Sequence, residues 1–204
     1  MSSLAWDRFY ESYFGDPYMA WHDGLDSQAL LSLDGEELER AEQMLIDALG
    51  SSDYRPAAGL ATLRSANAAD KLKEALPDAP PSAAIRTAHA LWQIERYLPA
   101  ANTLVTILRT APFWGDRGDA ARLLRDVPTP RVIESLWQAV ENDPEDLVRT
   151  HAASSLLSMY NIHSEIYDMH PLSIAVMSQD KEERDKAIRE LKALIEKEGK
   201  LKED

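Results

Sequence analysis

An arginine ahead of paired alanines is the feature of this chain that most suggests chemistry. Residues 146–157 read DLVRTHAASSLL, with Arg149 one helical turn before the alanines. A guanidinium in this position could bind an anion or assist catalysis, and it could equally be a recurring part of the fold. Similar arginines occur at intervals of 31, 31, 32 and 35 residues, counted along the series Arg55, Arg86, Arg117, Arg149 and Arg184. Five copies at near-constant spacing favour a structural repeat over a single reactive group.

A second group of potential ligands lies between residues 161 and 170, which read NIHSEIYDMH. The side chains with metal-ligating chemistry are His163, Glu165, Asp168 and His170. Their spacing matches no standard metal site. The chain also has no cysteine, which excludes thiolate nucleophiles, disulfides and cysteine-based metal sites. We therefore expect no metal and no cofactor.

Familiar catalytic motifs are missing from the sequence. The eight glycines form no G-x-G-x-x-G or G-K-[ST] phosphate loop, and no G-x-S-x-G nucleophile elbow occurs. The segment FWGDRGD at 113–119 is interpreted as a loop in which Gly115 and Gly118 supply the turn. Trp114 in that loop is either a core anchor or a rim contact. The sequence thus predicts a protein that is not an enzyme.

The charge of the chain is strongly acidic and unevenly distributed. Its 204 residues include 35 acidic and 22 basic side chains, for a net charge of −13. Residues 1–50 alone hold 11 acidic and 2 basic residues. Such a charge repels phosphate backbones and makes nucleic acid an unfavourable partner. Two interpretations stay open, because the charge serves solubility or steers the chain toward a basic partner.

The N-terminal sequence MSSLAWDRFYESYF lacks the basic and apolar segments of a signal peptide. No apolar stretch approaches the roughly 20 residues that a membrane-spanning helix needs. We therefore expect a cytoplasmic protein without membrane association, as a monomer or a weak dimer.

Each repeat of about 31 residues contains two helical segments. The second begins near the arginine, and three or four residues later comes a small residue, at Ala58/Gly59, Ala90, Ala120/Ala121, Ala152/Ala153 and Ala187. Small residues let neighbouring helices approach closely. The start of an earlier helix is signalled by Thr129–Pro130, and Asp143–Pro144 predicts the start of the helix that follows it. The unit is therefore a helix, a short turn and a second helix.

This pattern resembles the short bacterial HEAT-like repeats that are known from phycobilisome lyase subunits. The second helix of that family often carries Asp, then Val-Arg, then two alanines and a leucine, and the matching residues here are Asp146, Val148, Arg149, Ala152, Ala153 and Leu156. The resemblance covers roughly residues 35–160, with a divergent last unit at 171–198. It implies an all-α fold, a right-handed α-α superhelix of about four to five helix pairs with helical caps at both ends. Its repeating arginines are then expected to be structural, with Asp53, Asp116 and Asp146 or a carbonyl of the preceding repeat as partners.

Segments outside the repeat are assigned to the ends of one structural domain. Residues 1–34 form an aromatic, acidic N-terminal cap, since seven of the fifteen aromatic residues occur within the first 21 positions. Residues 35–160 hold the repeats, and residues 161–204 hold an insertion and a C-terminal capping helix pair. The N-terminal aromatics are either a cap or a binding surface.

The function that these features favour is a protein-binding helical-repeat module, an immunity or adaptor protein for a basic partner. Candidate binding residues on the exposed side of the second helices are Trp92, Gln93, Arg122, Arg125, Ser155 and Ser158. Candidates in the N-terminal cap are Trp6, Tyr10, Tyr13 and Trp21.

Two alternatives follow from the family resemblance. One is a lyase or cofactor-handling protein, for which the chain offers no cysteine nucleophile. The other is a nucleic-acid-binding protein with a local basic groove, supplied by Arg86, Arg122, Arg125 and Arg149.

Overall fold

The computed structural model describes residues 2–162 and 170–201, and every regular element in these two ranges is helical. The chain divides into two compact units, residues 1–100 and 101–204. The first unit contains α1 (Leu4–Phe14), α2 (Pro17–Asp23), α3 (Ser27–Leu31), α4 (Gly35–Asp47), α5 (Arg55–Leu63), α6 (Ala69–Ala75) and α7 (Pro81–Glu95). Helix α8 (Leu98–Thr110) begins at the end of the first unit and lies mostly in the second. The second unit continues with α9 (Trp114–Leu123), α10 (Pro130–Asn142), α11 (Asp146–Met159), α12 (Pro171–Ala175) and α13 (Lys181–Glu198).

The helices from α4 onward alternate as the first and second members of five successive pairs within the described residues. The predicted all-α class with four to five helix pairs is confirmed. The hand of the superhelix and the predicted domain boundaries at 34 and 160 stay predictions.

Helix starts follow local capping chemistry. Thr129 caps α10 as predicted, since its hydroxyl accepts a hydrogen bond from the Val132 amide at 3.4 Å and Pro130 occupies the first helical position. The start of α11 was placed too early at Asp143–Pro144, because this helix begins at Asp146. Asp143 is instead the C-terminal boundary residue of α10, and its carboxylate is used by an arginine of the neighbouring repeat.

Small residues lie where neighbouring helices meet, as the repeat predicts. In the second unit α9 packs against α11, and the alanine pairs of both helices are fully buried, Ala120/Ala121 and Ala152/Ala153. In the first unit Gly59 of α5 faces α4 and α1. A Cβ atom at Gly59 would lie only 2.9 Å from side-chain carbons of Leu45 and Tyr13. The small residues therefore set how closely the helices approach.

The repeating arginines bind the turn that precedes their own helix. Nη1 of Arg117 donates to the carbonyl oxygens of residues 111 and 112 at 3.0 and 3.2 Å, six and five positions earlier. Nη1 of Arg149 makes the same two contacts with residues 143 and 144 at 2.9 and 3.1 Å. Nη1 of Arg184 donates to the residue 178 carbonyl at 2.9 Å, again six positions earlier. The shared geometry explains why the arginine recurs at one register of the repeat.

The same guanidinium groups reach the turn of the next repeat. Arg117 forms a bidentate pair with the Asp143 carboxylate, with Nε–Oδ2 and Nη2–Oδ1 distances of 2.9 and 3.0 Å. Arg149 donates from Nε to the Val176 carbonyl at 3.0 Å and from Nη2 to the Met177 carbonyl at 3.5 Å. Arg149 is only 4% exposed, and this burial lowers the pKa of its guanidinium below the usual value. Each of these two arginines thus joins two successive turns.

The predicted partners of these arginines are only partly correct. Asp53 does pair with Arg55, at 2.7 Å between Oδ2 and Nη2. Arg117, in contrast, uses Asp143 rather than the adjacent Asp116, because its side chain points toward the next turn. Among the described contacts, the direct hydrogen bonds of Arg149 go to carbonyls rather than to Asp146. The contact between repeats runs forward along the chain in Arg117 and Arg149, whereas Arg55 reaches back to the Gly15 carbonyl at 3.0 Å.

Replacement of Arg149 by alanine is expected to lower the free energy of unfolding by about 3 kcal/mol, because several carbonyl groups lose their charged donor. The free energy of unfolding of Arg149→Lys should lie between those of the wild type and Arg149→Ala, since one ammonium group cannot bind the carbonyls of both turns. The measurement is chemical denaturation of each purified variant. Arg125→Ala is the matched control, because this exposed arginine should change stability by less than about 0.5 kcal/mol. Equal stability of Arg149→Ala and wild type would contradict the structural role.

His151 on α11 makes stability depend on pH. Burial lowers its pKa, and the nearby Arg122 lowers it further, while Asp119 has the opposite effect. A lowered pKa in the folded state means that the unfolded chain binds the proton more tightly. The stabilisation is therefore complete above the unfolded pKa of 6.5 and is lost as the pH falls through the folded value.

We expect the free energy of unfolding of the wild type to fall more steeply between about pH 7 and pH 5 than that of His151→Gln. Denaturant titration at each pH gives the slope for each protein. Comparing the slopes separates the effect of protonation from a loss of packing, because a loss of packing lowers the free energy of unfolding of the variant at every pH. Parallel pH profiles for the two proteins would show that His151 does not contribute.

Candidate functional site

Helix α1 divides its aromatic residues between two sides. Trp6, Phe9 and Tyr13 are buried, whereas Tyr10 is 47% exposed. The ring of Tyr10 stacks on that of Phe14 with centroids 5.8 Å apart. Spacings of three and four residues produce this division, because they place side chains on one face of a helix. Part of the aromatic N-terminus is therefore core, and part is available at the surface.

Helix α2 adds a second exposed aromatic pair. Tyr18 and Met19 are 60% and 46% exposed. The Tyr18 ring stacks on His22 with centroids 6.0 Å apart, and His22 Nδ1 lies 2.6 Å from Asp23 Oδ1. We define the N-terminal surface as the side chains Tyr10, Phe14, Tyr18, Met19 and His22 with the carboxylates Asp7, Glu11, Asp16 and Asp23.

Basic side chains of residues 1–50 are already engaged within the first unit. Arg8 pairs with Asp26 at 2.5 Å, and the guanidinium of Arg40 lies over the Trp6 ring, 4.6 Å from its centroid. The Asp26 pKa is lowered, first by the Ala29 amide and then by Arg8. Carboxylates such as Glu11, by contrast, have no basic partner within the described ranges. The N-terminal surface is consequently acidic, and His22 lies beside one of its carboxylates, Asp23.

Of the four predicted N-terminal residues, only Tyr10 lies at the surface as a described side chain. The assignment of Trp6 and Tyr13 to a binding surface is wrong, since they are 8% and 1% exposed and form the inner side of α1. Burial also raises the pKa of the Tyr13 phenol above its usual value. The side chain of Trp21 lies outside the described part of the structure.

Predicted binding residues on the second helices are divided in the same way. Trp92 is 5% exposed and belongs to the core side of α7. Ser155 is 3% exposed, and its hydroxyl donates to the Ala121 carbonyl at 2.8 Å, which joins α11 to α9. The expectation that both are exposed is wrong, because these helices are covered on more than one side by neighbouring helices. The predicted residues that are accessible, fully or in part, are Gln93, Arg122, Arg125 and Ser158.

The four arginines of the nucleic-acid alternative do not form a free basic row. Arg149 is buried between two turns, and Arg86 lies over the Tyr54 ring, 5.6 Å from its centroid. Arg122 pairs with Asp119 at 2.7 Å. Burial therefore removes Arg149 from phosphate contact, whereas Arg125 stays exposed.

Three of the four residues with metal-ligating side chains lie outside the described residues. They are His163, Glu165 and Asp168. His170 caps α12, since its Nδ1 accepts a hydrogen bond from the Leu172 amide at 3.1 Å. No group of three or more candidate ligands could hold a metal ion within residues 2–162 and 170–201.

None of the helices in the described ranges has the length and apolarity needed to cross a membrane.

Sequence reasoning missed three exposed side chains, Tyr18, Met19 and Phe113. Phe113 is 57% exposed beside Trp114, which is 40% exposed and therefore a rim residue rather than a core anchor. Phe113 precedes the first residue of α9, and the segment 113–119, interpreted from the sequence as a loop, belongs to this helix from Trp114 onward. Aromatic residues without a place in a stripe are candidates for the surface.

Comparisons with known proteins agree with the helical pairs. A family model of HEAT repeats matches residues 69–157, which run from the start of α6 to near the end of α11. A search of the curated proteins found no match. HEAT repeats are generally protein-interaction modules. With the paired helices and the buried alanines at their contacts, residues 69–157 of this chain are similar to HEAT repeats.

Proposed function

We propose that this chain is a non-enzymatic binding module that recognises a basic protein through its N-terminal surface. The observation that carries the proposal is the combination of exposed aromatic rings and carboxylates where both basic residues are engaged elsewhere. The sequence also lacks cysteine and the common catalytic motifs, which favours binding over catalysis.

The aromatic side chains supply the affinity in this proposal. Tyrosine is enriched at binding hot spots because it buries a large area and retains a polar hydroxyl. Tyr10 and Tyr18 are each held by a stacked neighbour, Phe14 and His22. This stacking limits the rotamer entropy that a partner must remove on binding.

The carboxylates supply the choice of partner. Glu11 and Asp16 flank the rings without a basic neighbour in the described ranges, so a cationic side chain gains both an ion pair and a ring contact. Net charge of this sign also accelerates encounter with a basic protein and slows encounter with an acidic one. An immunity protein for a basic toxin and an adaptor for a basic subunit both fit this chemistry.

Binding is tested with an array of equal-length synthetic peptides in which basic and aliphatic content vary independently. The wild-type chain should bind the peptides that carry arginine or lysine, and added salt should weaken this binding. The double variant Tyr10→Ala/Tyr18→Ala should bind at least about tenfold more weakly, because both anchors are removed. Affinity is measured by fluorescence polarisation.

Matched controls are available on the second unit. Leu147→Ala/Ile174→Ala removes two exposed apolar side chains elsewhere and is the control for the double tyrosine variant. The proposal fails if acidic peptides bind as well as basic ones, or if the tyrosine variant and its control bind alike.

A further inference from the structure

Three successive turns of the second unit are tied into one edge by arginines. Arg117 bonds the α8–α9 turn and Asp143 of the α10–α11 turn. Arg149 bonds that second turn and the α12–α13 turn. These hydrogen bonds therefore hold the backbone that carries the side chains of this edge. A preorganised surface loses less entropy when a partner binds.

Phe113 and Trp114 form an exposed aromatic pair on this edge. Their ring centroids are 5.6 Å apart at an interplanar angle of 49°. The Phe113 ring lies against Gly115, where an added Cβ would be 2.4 Å from Phe113 Cε1. The glycine thus makes room for the ring. Two large rings remain exposed although one of them rests on the backbone, which is typical of an interaction anchor.

A groove lies between the C-terminal ends of α8 and α10, and its lining includes Ala111 and Arg117, which precede and follow this pair in the sequence. Its volume is about 470 Å³, and it is open to solvent. Arg117 and Asp143 belong to its lining. These two side chains are 11% and 7% exposed, and they neutralise each other. The groove lining therefore contains an ion pair that has no net charge.

The remaining charge of the groove is positive. Arg109 on the α8 side of the lining is exposed and has no ion pair in the described part of the chain. Gln138 on the α10 side is exposed as well, and its side-chain amide has no described partner. A guanidinium and an amide N–H are donors that suit a carboxylate. In a chain of net charge −13, this groove is a local exception.

We propose that this groove and the Phe113–Trp114 pair, together the turn groove, dock a peptide segment that carries a carboxylate near a large aliphatic side chain. The carboxylate binds Arg109 and Gln138, and the aliphatic group packs on the rings. A polypeptide suits this surface because it can present both groups from one extended backbone. The proposal is independent of the proposed function, which concerns the first unit and the opposite charge.

The test uses fluorescein-labelled peptides on a Gly/Ser background, each with one leucine and one glutamate at a spacing of one to several residues. Matched peptides carry lysine for glutamate or alanine for leucine. We expect wild type to bind the Leu/Glu peptide at one of the spacings and to lose at least about tenfold in affinity with either matched peptide.

The variants Trp114→Ala and Arg109→Glu are expected to weaken binding of the Leu/Glu peptide by at least about tenfold. Both residues are exposed, so the fold should tolerate the changes, which circular dichroism verifies. Ile174→Ala and Arg125→Glu are the matched controls on the same unit, and the Tyr10→Ala/Tyr18→Ala variant should bind this peptide as the wild type does.

Three results would overturn the proposal. Failure of the wild type to bind any Leu/Glu peptide above the Gly/Ser background is the first. Equal binding by Trp114→Ala and Ile174→Ala is the second. The third is concentration-dependent dimerisation of the wild type that Trp114→Ala abolishes while no peptide binds, since the occupant would then be a second copy of the chain.

Discussion

Contacts between arginine guanidinium groups and the carbonyl oxygens of helix turns hold successive repeats of the second unit together. A short turn between two helices leaves carbonyls without intrahelical partners, and burying them unpaired would be costly. Arg149 satisfies such carbonyls in two turns at once, and Arg117 satisfies them in one turn and pairs with the Asp143 carboxylate in the next. The apolar faces of the helices can then stack without burying unpaired backbone carbonyls between the repeats.

The same interaction joins the N-terminal aromatic helices to the first repeat. Arg55 pairs with Asp53 beside it and donates to the Gly15 carbonyl, which lies between α1 and α2. Within the first unit, this turn takes the place that a neighbouring repeat's turn has in the second. The non-repeating segment thus covers the helices with Phe9 and Tyr13 while its other side keeps Tyr10 exposed.

These constraints decide which surfaces are available for partners. Side chains at the helix contacts, such as Trp92 and Ser155, are buried and cannot contact a partner. Exposed aromatic side chains of the described residues lie on the outer side of α1 and α2 and along the turn edge of the second unit. The two surfaces differ in charge, because carboxylates surround Tyr10 whereas Arg109 borders the turn groove. A repeat scaffold of this kind can therefore carry separate specificities on elements that its core does not use.

The sequence by itself determined the helix pairs, the small residues at their contacts and the structural role of the arginines. These properties follow from local periodicity and from the regular return of one residue type, which can be read without knowing what lies opposite. Only the tertiary structure decided that Arg117 binds Asp143 rather than Asp116, that Trp92 is buried and that Phe113 is not. Each of these outcomes depends on which neighbouring helix or turn covers a side chain, and that is a contact between residues distant in sequence. The sequence predicts both Tyr10 and Tyr13 for the binding surface for the same reason. In the structure Tyr13 is buried and Tyr10 is exposed, because other helices pack on only one side of α1.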